Sequence, residues 1–158
     1  IICMGKALSG GYLPISATVV TDSIYQTFSD TPHDNTFYHG HTFGGNPIAA
    51  AVSVEVLKIY EREGIVAQAA ASGRRLAQAM QTLSGLDSVE NIRCLGMIAA
   101  AQLADAECAQ RVRQALLTRG ILLRPLGPVV YLMLPLTTPE PIMASTVEAL
   151  AQAIRTSS

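Results

Sequence analysis

Hydrophobic and polar positions in the first third of the chain predict short elements separated by loops. The apolar run at 1–4 predicts the end of a buried strand, and the β-branched run at 15–21 predicts a second strand. A short helix is predicted over 22–29, followed by a polar loop at 29–35. From 47 to about 63, apolar residues recur at spacings of three and four, which indicates a longer helix.

The remainder of the chain alternates helical and strand patterns. Its predicted elements are a helix over about 65–84, one or two strands over 89–103, a helix over 107–119, strands over 121–124 and 129–134, and a helix from about 139 to 155. This alternation predicts a small α/β or α+β domain in which helices pack on a sheet.

The composition changes near 62–66, and we place a domain boundary there. Residues 65–158 can form a self-contained domain, whereas 1–64 contain too few strands for a sheet with its own core. We therefore expect 1–64 to be the last part of a larger, incomplete domain, and the chain to be a fragment of a longer protein.

The composition is that of a globular protein. Of the 158 residues, 49% are apolar and 15% are charged, which suffices for a core and argues against disorder. The formal net charge of −1 gives no basis for a nucleic-acid or membrane-surface partner. No targeting segment is visible, and no apolar run approaches the roughly 18 residues of a membrane span. We expect a cytoplasmic protein.

The three cysteines, Cys3, Cys94 and Cys108, indicate free thiols. Their number is odd and no C-x-x-C spacing occurs, which argues against a disulfide framework or a zinc site. We expect them to be buried thiols in a reducing compartment.

Lys6 is the first candidate for chemistry. It follows an apolar run and Gly5, and it precedes the glycine pair Gly10 and Gly11. This context can hold an amine at the end of a strand, where an unprotonated lysine attacks carbonyl groups. The alternative is an ordinary surface lysine beside a turn.

The glycine-rich stretch at 40–47 is the second candidate, because Pro47 stands at the predicted first position of a helix. Hydroxyl and backbone N–H groups at such a place suit a phosphate. The alternative is that the glycines only permit a tight turn. His39 and His41 have no third ligand at metal spacing, so we expect no metal site.

Arg124 is the third candidate, since it ends a predicted apolar strand and stands directly before Pro125. A planar guanidinium held there can bind a carboxylate, and Tyr131 in the next strand can face the same space. The alternative is an ordinary arginine at a strand edge.

Three segments together resemble the class III (ω-) aminotransferases, which are pyridoxal-phosphate enzymes of fold type I. The active-site lysine segment of that family is similar to GKALSGGYLP at 5–14, and its phosphate-contacting loop is similar to HGHTFGGNP at 39–47. Its C-terminal substrate segment is similar to LLRPLG at 122–127 followed by VYLM at 130–133. Order and spacing agree over essentially the whole chain, although Leu134 stands where the family usually has proline.

The resemblance implies a role for each cofactor-binding residue. Lys6 would bind pyridoxal 5'-phosphate covalently and then move the proton between substrate and cofactor. Thr42, with the backbone at His41, would hold the cofactor phosphate across the two-fold interface of a homodimer.

The resemblance also implies the substrate contacts and the fold. Gly40 would lie against the substrate, Arg124 would pair with its carboxylate, and Tyr131 would line that pocket. Within the family, 38–42 and 124–133 look most like biotin-pathway enzymes that transfer an amino group from S-adenosylmethionine to 8-amino-7-oxononanoate. The chain would be the C-terminal part of a fold type I transferase, comprising the end of the large domain and the complete small domain.

Several family elements have no counterpart in this chain. They are the pyridine-nitrogen aspartate, the ring-stacking aromatic and the Gly-Ser phosphate turn, all upstream of the lysine in the family. We therefore expect the 158-residue chain to be inactive alone. Two further hypotheses stay open: an ω-amino-acid or diamine:pyruvate aminotransferase, and a non-catalytic module that lacks pyridoxal phosphate and self-associates through exposed aromatic side chains of 1–64.

Overall fold

The computed structural model describes residues 1–29 and 35–157, so most of the loop predicted at 29–35 lies outside the described residues. The chain divides into two compact units, Ile1–Glu63 and Gly64–Ser158. That the first unit is the end of a larger cofactor-binding domain stays a prediction.

The first unit consists of short strands followed by helices. Its elements are strand β1 (Ile2–Met4), a 3-10 helix (Lys6–Ser9), strand β2 (Ala17–Val19), helix α1 (Asp22–Ser29) and helix α2 (Pro47–Arg62). The two strands pair antiparallel, with Ile2 opposite Val19. Helix α2 begins at Pro47 because the Asn46 side chain accepts hydrogen bonds from the first free N–H groups of the helix.

Few side chains of the first unit are buried. Among its described residues only Ser9, Ala49 and Ser53 are buried, and each of these side chains is small. The prediction that 1–4 form a buried strand end is therefore wrong in one respect. The strand forms, but Ile2 is 63% exposed, because among the described elements only β2 makes substantial contact with β1 and it pairs along the strand edge, which leaves the faces uncovered.

The second unit consists of helices packed on one face of a three-stranded sheet. Its elements are α3 (Ile65–Met80), a 3-10 helix (Gln81–Leu83), β3 (Val89–Leu95), β4 (Ile98–Leu103), α4 (Ala106–Leu117), β5 (Val129–Met133) and α5 (Glu140–Ser157). The strands are antiparallel in the order β3-β4-β5. The predicted α/β class with helices on a sheet is confirmed.

One hydrophobic core holds the second unit together. Leu76, Met80, Val112, Leu116 and Leu150 are fully buried and belong to a continuous cluster that also contains the inner faces of β4 and β5. Burial of large aliphatic side chains at close packing is the main stabilising contribution in such a unit.

Helix α3 approaches the β3–β4 turn so closely that only glycine fits at its contact point. A Cβ on Gly73 would lie 2.7 Å from the carbonyl carbon and oxygen of Gly96. Gly96 itself has a φ of 55°, in the left-handed region that the two-residue hairpin requires.

The strand predicted at 121–124 does not form. Pro125 has no N–H to donate into a ladder, and the chain reverses directly afterwards, where Leu126 and Val129 exchange two hydrogen bonds of 2.9 and 3.0 Å. The segment is instead an extended stretch that is fixed by the buried side chain of Leu123.

The cysteines are free, as predicted, but their burial differs. Cys108 is buried in the core of the second unit and Cys94 is half-buried. The expectation of burial is wrong for Cys3, which is exposed because strand β1 is exposed on both faces.

Candidate active site

Lys6 begins a 3-10 helix directly after strand β1 and Gly5. The turn is closed by the N–H of Leu8, which donates to the Gly5 carbonyl at 2.9 Å, and by the N–H of Gly11, which donates to the Lys6 carbonyl at 3.2 Å. The lysine residue is exposed. The backbone at Lys6 is thus fixed at the end of a strand while its amine is accessible.

The glycine pair after Lys6 adopts a conformation that disfavours other residues. Gly10 has a φ of 59° and Gly11 a φ of 83°. A Cβ on Gly11 would lie 3.1 Å from Lys6 Cε and 3.8 Å from Lys6 Cγ. The stem of the lysine therefore lies against the bare backbone of Gly11.

Helix α2 supports the same turn from the other end of the unit. The hydroxyl of Tyr60 donates a hydrogen bond of 3.0 Å to the carbonyl of Ala7, the residue that follows Lys6. The buried Ser9 hydroxyl donates to the Leu13 carbonyl at 2.6 Å. Sequence reasoning took Gly11 only as part of a turn and missed Ser9 and Tyr60. No local signal points to Tyr60, which is 53 residues from its acceptor.

The predicted phosphate loop leads into the first turn of α2. Residues 42–48 line an open hollow of about 310 Å³ at this helix terminus. Asn46 Oδ1 accepts from the N–H groups of Ile48 and Ala49, at 2.9 and 3.3 Å. The N–H of Gly44 donates to the His41 carbonyl at 2.8 Å, so several loop donors are already engaged within the loop.

The hydrogen-bond donors of this loop that are not used within the loop remain available for a ligand. Among the described residues, no hydrogen bond is made by the Thr42 hydroxyl, the Thr42 N–H or the Gly45 N–H. The His41 ring accepts from the Phe43 N–H through Nδ1 at 3.2 Å. Gly40 is exposed, and a Cβ there would meet nothing within 4 Å. The fold of the loop therefore does not itself require glycine at 40.

Arg124 and Tyr131 lie in the second unit. Arg124 is exposed in the extended segment before the Leu126–Val129 reversal. Tyr131 is half-buried on β5, opposite Ala100 of β4, which in turn is opposite Arg93 of β3. Among the described residues, pairing at this reversal is found only between Leu126 and Val129, so strand pairing does not bring Arg124 and Tyr131 together.

Neither a metal site nor a membrane-spanning helix is found in the part of the chain that the structure describes. Within residues 1–29 and 35–157, no group of three His, Cys, Asp or Glu side chains is arranged to hold a metal ion. The helices in these ranges are all too short or too polar to cross a membrane.

The family of the chain follows from a family model. The model described as aminotransferase class-III matches residues 1–154, and the chain belongs to this family. Class III aminotransferases use pyridoxal phosphate. The family resemblance of the three sequence segments is thereby confirmed.

Two individual relatives carry the name of one particular aminotransferase. The chain is 32% identical to an adenosylmethionine-8-amino-7-oxononanoate aminotransferase of Methanocaldococcus jannaschii, over 98% of this chain and 36% of that protein. It is 38% identical to a protein of the same name from Synechococcus elongatus, over 85% of this chain and 33% of that protein. The chain thus spans about a third of the length of these relatives.

Solved structures agree with the fold. The crystal structure of the Methanocaldococcus jannaschii aminotransferase matches with a TM-score of 0.87 at 30% identity, over 98% of this chain and 38% of that one. A thermostable omega transaminase mutant from Pseudomonas jessenii matches with a TM-score of 0.89 at 28% identity, over 99% of this chain and 37% of that one. The expected fold type I architecture is confirmed over the matched part.

The donor set of the first unit fits pyridoxal phosphate. The cofactor needs an amine to hold its aldehyde carbon and hydrogen-bond donors to hold its dianionic phosphate. Lys6 offers an accessible amine on a fixed turn, and Thr42 offers a hydroxyl beside the positive end of a 16-residue helix. Each requirement has a matching group in the described residues.

Proposed function

We propose that the protein containing this chain is a pyridoxal-phosphate-dependent aminotransferase of biotin biosynthesis. It transfers the amino group of S-adenosylmethionine to 8-amino-7-oxononanoate and yields 7,8-diaminononanoate. It acts in the cytoplasm as a homodimer. The names of the relatives support the reaction, and the accessible amine of Lys6 on its fixed turn is the observation that carries the chemistry.

Lys6 performs the covalent and proton-transfer work in this proposal. Pyridoxal phosphate, when bound, supplies the electron sink that makes the Cα–H of the amino donor acidic. The Nζ of Lys6 would hold the aldehyde carbon of the cofactor, and the same amine, when free, would accept and return the proton that leaves the donor Cα. Lys6 is one of only two lysines in the chain, and the other, Lys58, is engaged with Glu55 at 3.6 Å on helix α2.

Thr42 and His41 bind the cofactor phosphate. The Thr42 hydroxyl and N–H groups donate to phosphate oxygens, and the dipole of α2 adds a favourable potential at the same point. The phosphate held in this way belongs to the cofactor of the partner subunit. Gly40, which has no side chain to fill the space beside the loop, lies against the substrate.

Arg124 and Tyr131 select the substrate. A guanidinium binds a carboxylate through two parallel hydrogen bonds, and the carboxylate at the end of 8-amino-7-oxononanoate is the matching group. Leu123, which is buried, fixes the backbone beside Arg124. Tyr131 provides a partly apolar wall for the aliphatic chain of the substrate.

The test uses a hybrid enzyme, in which this chain replaces the matched segment of the Methanocaldococcus jannaschii aminotransferase. The TM-score of 0.87 makes this exchange geometrically feasible. We expect the hybrid enzyme to form 7,8-diaminononanoate from S-adenosylmethionine and 8-amino-7-oxononanoate. A Lys6→Ala hybrid serves as the inactive control, and circular dichroism of both proteins establishes that they are folded.

A second candidate reaction has specific support, because the omega transaminase of Pseudomonas jessenii matches with a similar TM-score. This second candidate reaction is the transfer of an amino group from an ω-amino acid or a diamine to pyruvate. A second hybrid, built in that omega transaminase, separates the two reactions. Gain of 8-amino-7-oxononanoate binding in this host supports the biotin-pathway assignment. Activity of both hybrids on pyruvate alone overturns it, and folded hybrids without any activity favour a non-catalytic module.

A further inference from the structure

We propose that Gly11 and Tyr60 are positioning residues for Lys6. They fix the direction of the lysine side chain from two sides and so determine how its amine meets a carbonyl compound. The inference rests on the proposed function, in which Lys6 holds the cofactor. Neither residue is among those proposed to bind the cofactor phosphate or the substrate carboxylate, so both act through Lys6.

Gly11 acts by the space that its missing Cβ leaves. Lys6 Cε and Cγ lie 3.1 and 3.8 Å from the point where a Cβ would stand, so the lysine stem occupies the groove over the Gly11 backbone. The Gly11 N–H also donates to the Lys6 carbonyl at 3.2 Å. Any side chain at 11 must displace the lysine stem or distort a turn whose φ is already 83°.

Tyr60 acts by holding the backbone next to Lys6. Its hydroxyl donates to the Ala7 carbonyl at 3.0 Å, and its ring is half-buried. Val56, one helical turn earlier on α2, stands 3.7 Å from the Cβ position of Gly10. One face of α2 thus contacts the turn at two points after the lysine, Ala7 and Gly10.

The two contacts matter because a lysine stem is otherwise flexible. Four rotatable bonds allow the ammonium group to sweep a large volume, and a reacting group contributes most when it is already oriented. The contact of the stem with Gly11 and the support of the backbone at Ala7 restrict this movement.

The first experiment measures amine reactivity without the cofactor. The 158-residue chain is arylated with trinitrobenzenesulfonate, and peptide mass spectrometry gives separate rates for Lys6 and Lys58. In Tyr60→Phe the ratio of the Lys6 rate to the Lys58 rate should change by about three- to tenfold, the effect of roughly one net hydrogen bond, because the lysine is no longer held in one direction. Tyr25→Phe is the matched control, since Tyr25 is 63% exposed and its hydroxyl makes no hydrogen bond among the described residues.

A second pair of variants separates the steric contact from backbone strain. Gly11→Ala and Gly120→Ala both place alanine at a positive φ, of 83° and 76°, but a Cβ on Gly120 meets nothing within 4 Å. Both should lower the melting temperature, whereas only Gly11→Ala should change the Lys6 to Lys58 ratio. If Gly11→Ala unfolds the first unit, the Lys6 to Lys58 ratio in Tyr60→Phe alone tests the positioning role.

A third measurement links the positioning to cofactor capture. Pyridoxal phosphate is reduced onto the chain with borohydride, and the share found on Lys6 rather than Lys58 should fall about three- to tenfold in Tyr60→Phe. A wild-type chain without a preference for Lys6 would show that the isolated chain does not select the cofactor. The proposed function is then tested by the hybrid enzyme, and the arylation ratio still decides the positioning role. An arylation ratio that is the same in wild type, Tyr60→Phe and Gly11→Ala overturns the inference.

Discussion

The two units of this chain differ in how they place their hydrophobic side chains and their candidate chemistry. The second unit encloses large aliphatic residues such as Leu76, Leu116 and Ile154 in one core. Among its described residues, the first unit buries three small residues and leaves large aromatic side chains exposed, among them Tyr38 at 87% and Phe43 at 75%. Yet the first unit carries the candidate lysine and the candidate phosphate loop.

This difference separates stability from chemistry. The second unit derives its folding free energy from its own core, so substitutions in that core should be measured as losses of stability. The candidate residues of the first unit make few buried contacts, so substitutions there should change chemistry with little effect on unfolding. The predictions that follow test this separation.

The largest effect is expected for Lys6→Ala in the hybrid enzyme. Loss of the nucleophile and proton carrier should lower the rate of amino transfer by roughly a thousandfold or more. The free energy of unfolding should stay within about 0.5 kcal/mol of wild type, as for other exposed positions. Lys58→Ala is the matched control and should retain activity in the same assay. Comparable losses in both variants would break the link between Lys6 and the chemistry.

Leu76→Ala should produce the largest loss of stability. Leu76 is completely buried, and truncation of such a leucine costs about 2–5 kcal/mol through lost burial and the cavity left behind. Leu57, on helix α2 of the first unit, is 50% exposed, and Leu57→Ala should cost less than about 1 kcal/mol. Urea unfolding of the 158-residue chain measures both. Equal costs would contradict the contrast between the units.

Arg124 is the candidate substrate-binding arginine that lies in the second, stable unit, and Arg124→Ala tests this chemical role. In the hybrid enzyme it should weaken binding of the carboxylate substrate by about 1.5–3 kcal/mol, the range of hydrogen bonds to charged groups. The measurement is KM for 8-amino-7-oxononanoate, with kcat recorded separately. Arg155→Ala, at an exposed arginine of α5, is the control. An unchanged KM in Arg124→Ala removes the carboxylate role.

The smallest effect is expected at Cys94. Burial raises the pKa of the Cys94 thiol above its usual value, so less of it is the reactive thiolate at a given alkaline pH. Iodoacetamide should therefore alkylate Cys94 more slowly than the exposed Cys3 at pH 8. Burial favours the neutral thiol, so the pKa of Cys94 is higher in the folded than in the unfolded state. The contribution of the buried thiol to stability is therefore fully present below the unfolded-state pKa. It is lost as the pH rises through the folded-state pKa. A Cys94→Ala variant should show less of this alkaline loss.

Much of the fold could be predicted because its signals are local. The spacing of apolar residues places the helices that begin at Pro47 and Ile65, and Gly96 marks the turn between β3 and β4. The strand predicted at 121–124 failed because a run of leucines before Pro125 resembles a strand but lacks a partner to pair with. The exposure of β1 was not predictable, since an apolar run does not reveal what covers it.

The candidate site could be predicted only in part, for a related reason. Lys6 and Thr42 stand in short segments whose glycines and proline give a local signal. The support of Lys6 by Tyr60 spans 53 residues, and the groove over Gly11 exists only once the lysine stem has folded back on it. Such contacts depend on tertiary packing, so no spacing in the sequence indicates them.

The proposals above depend on one assignment, that of Lys6 as the lysine that holds pyridoxal phosphate. The most direct measurement is borohydride reduction of the hybrid enzyme loaded with the cofactor, followed by peptide mass spectrometry of every lysine. We expect the reduced cofactor on Lys6 in stoichiometric amount and none in the Lys6→Ala hybrid. Reduced cofactor on Lys58 or on a lysine of the host enzyme, with Lys6 unmodified, would contradict it.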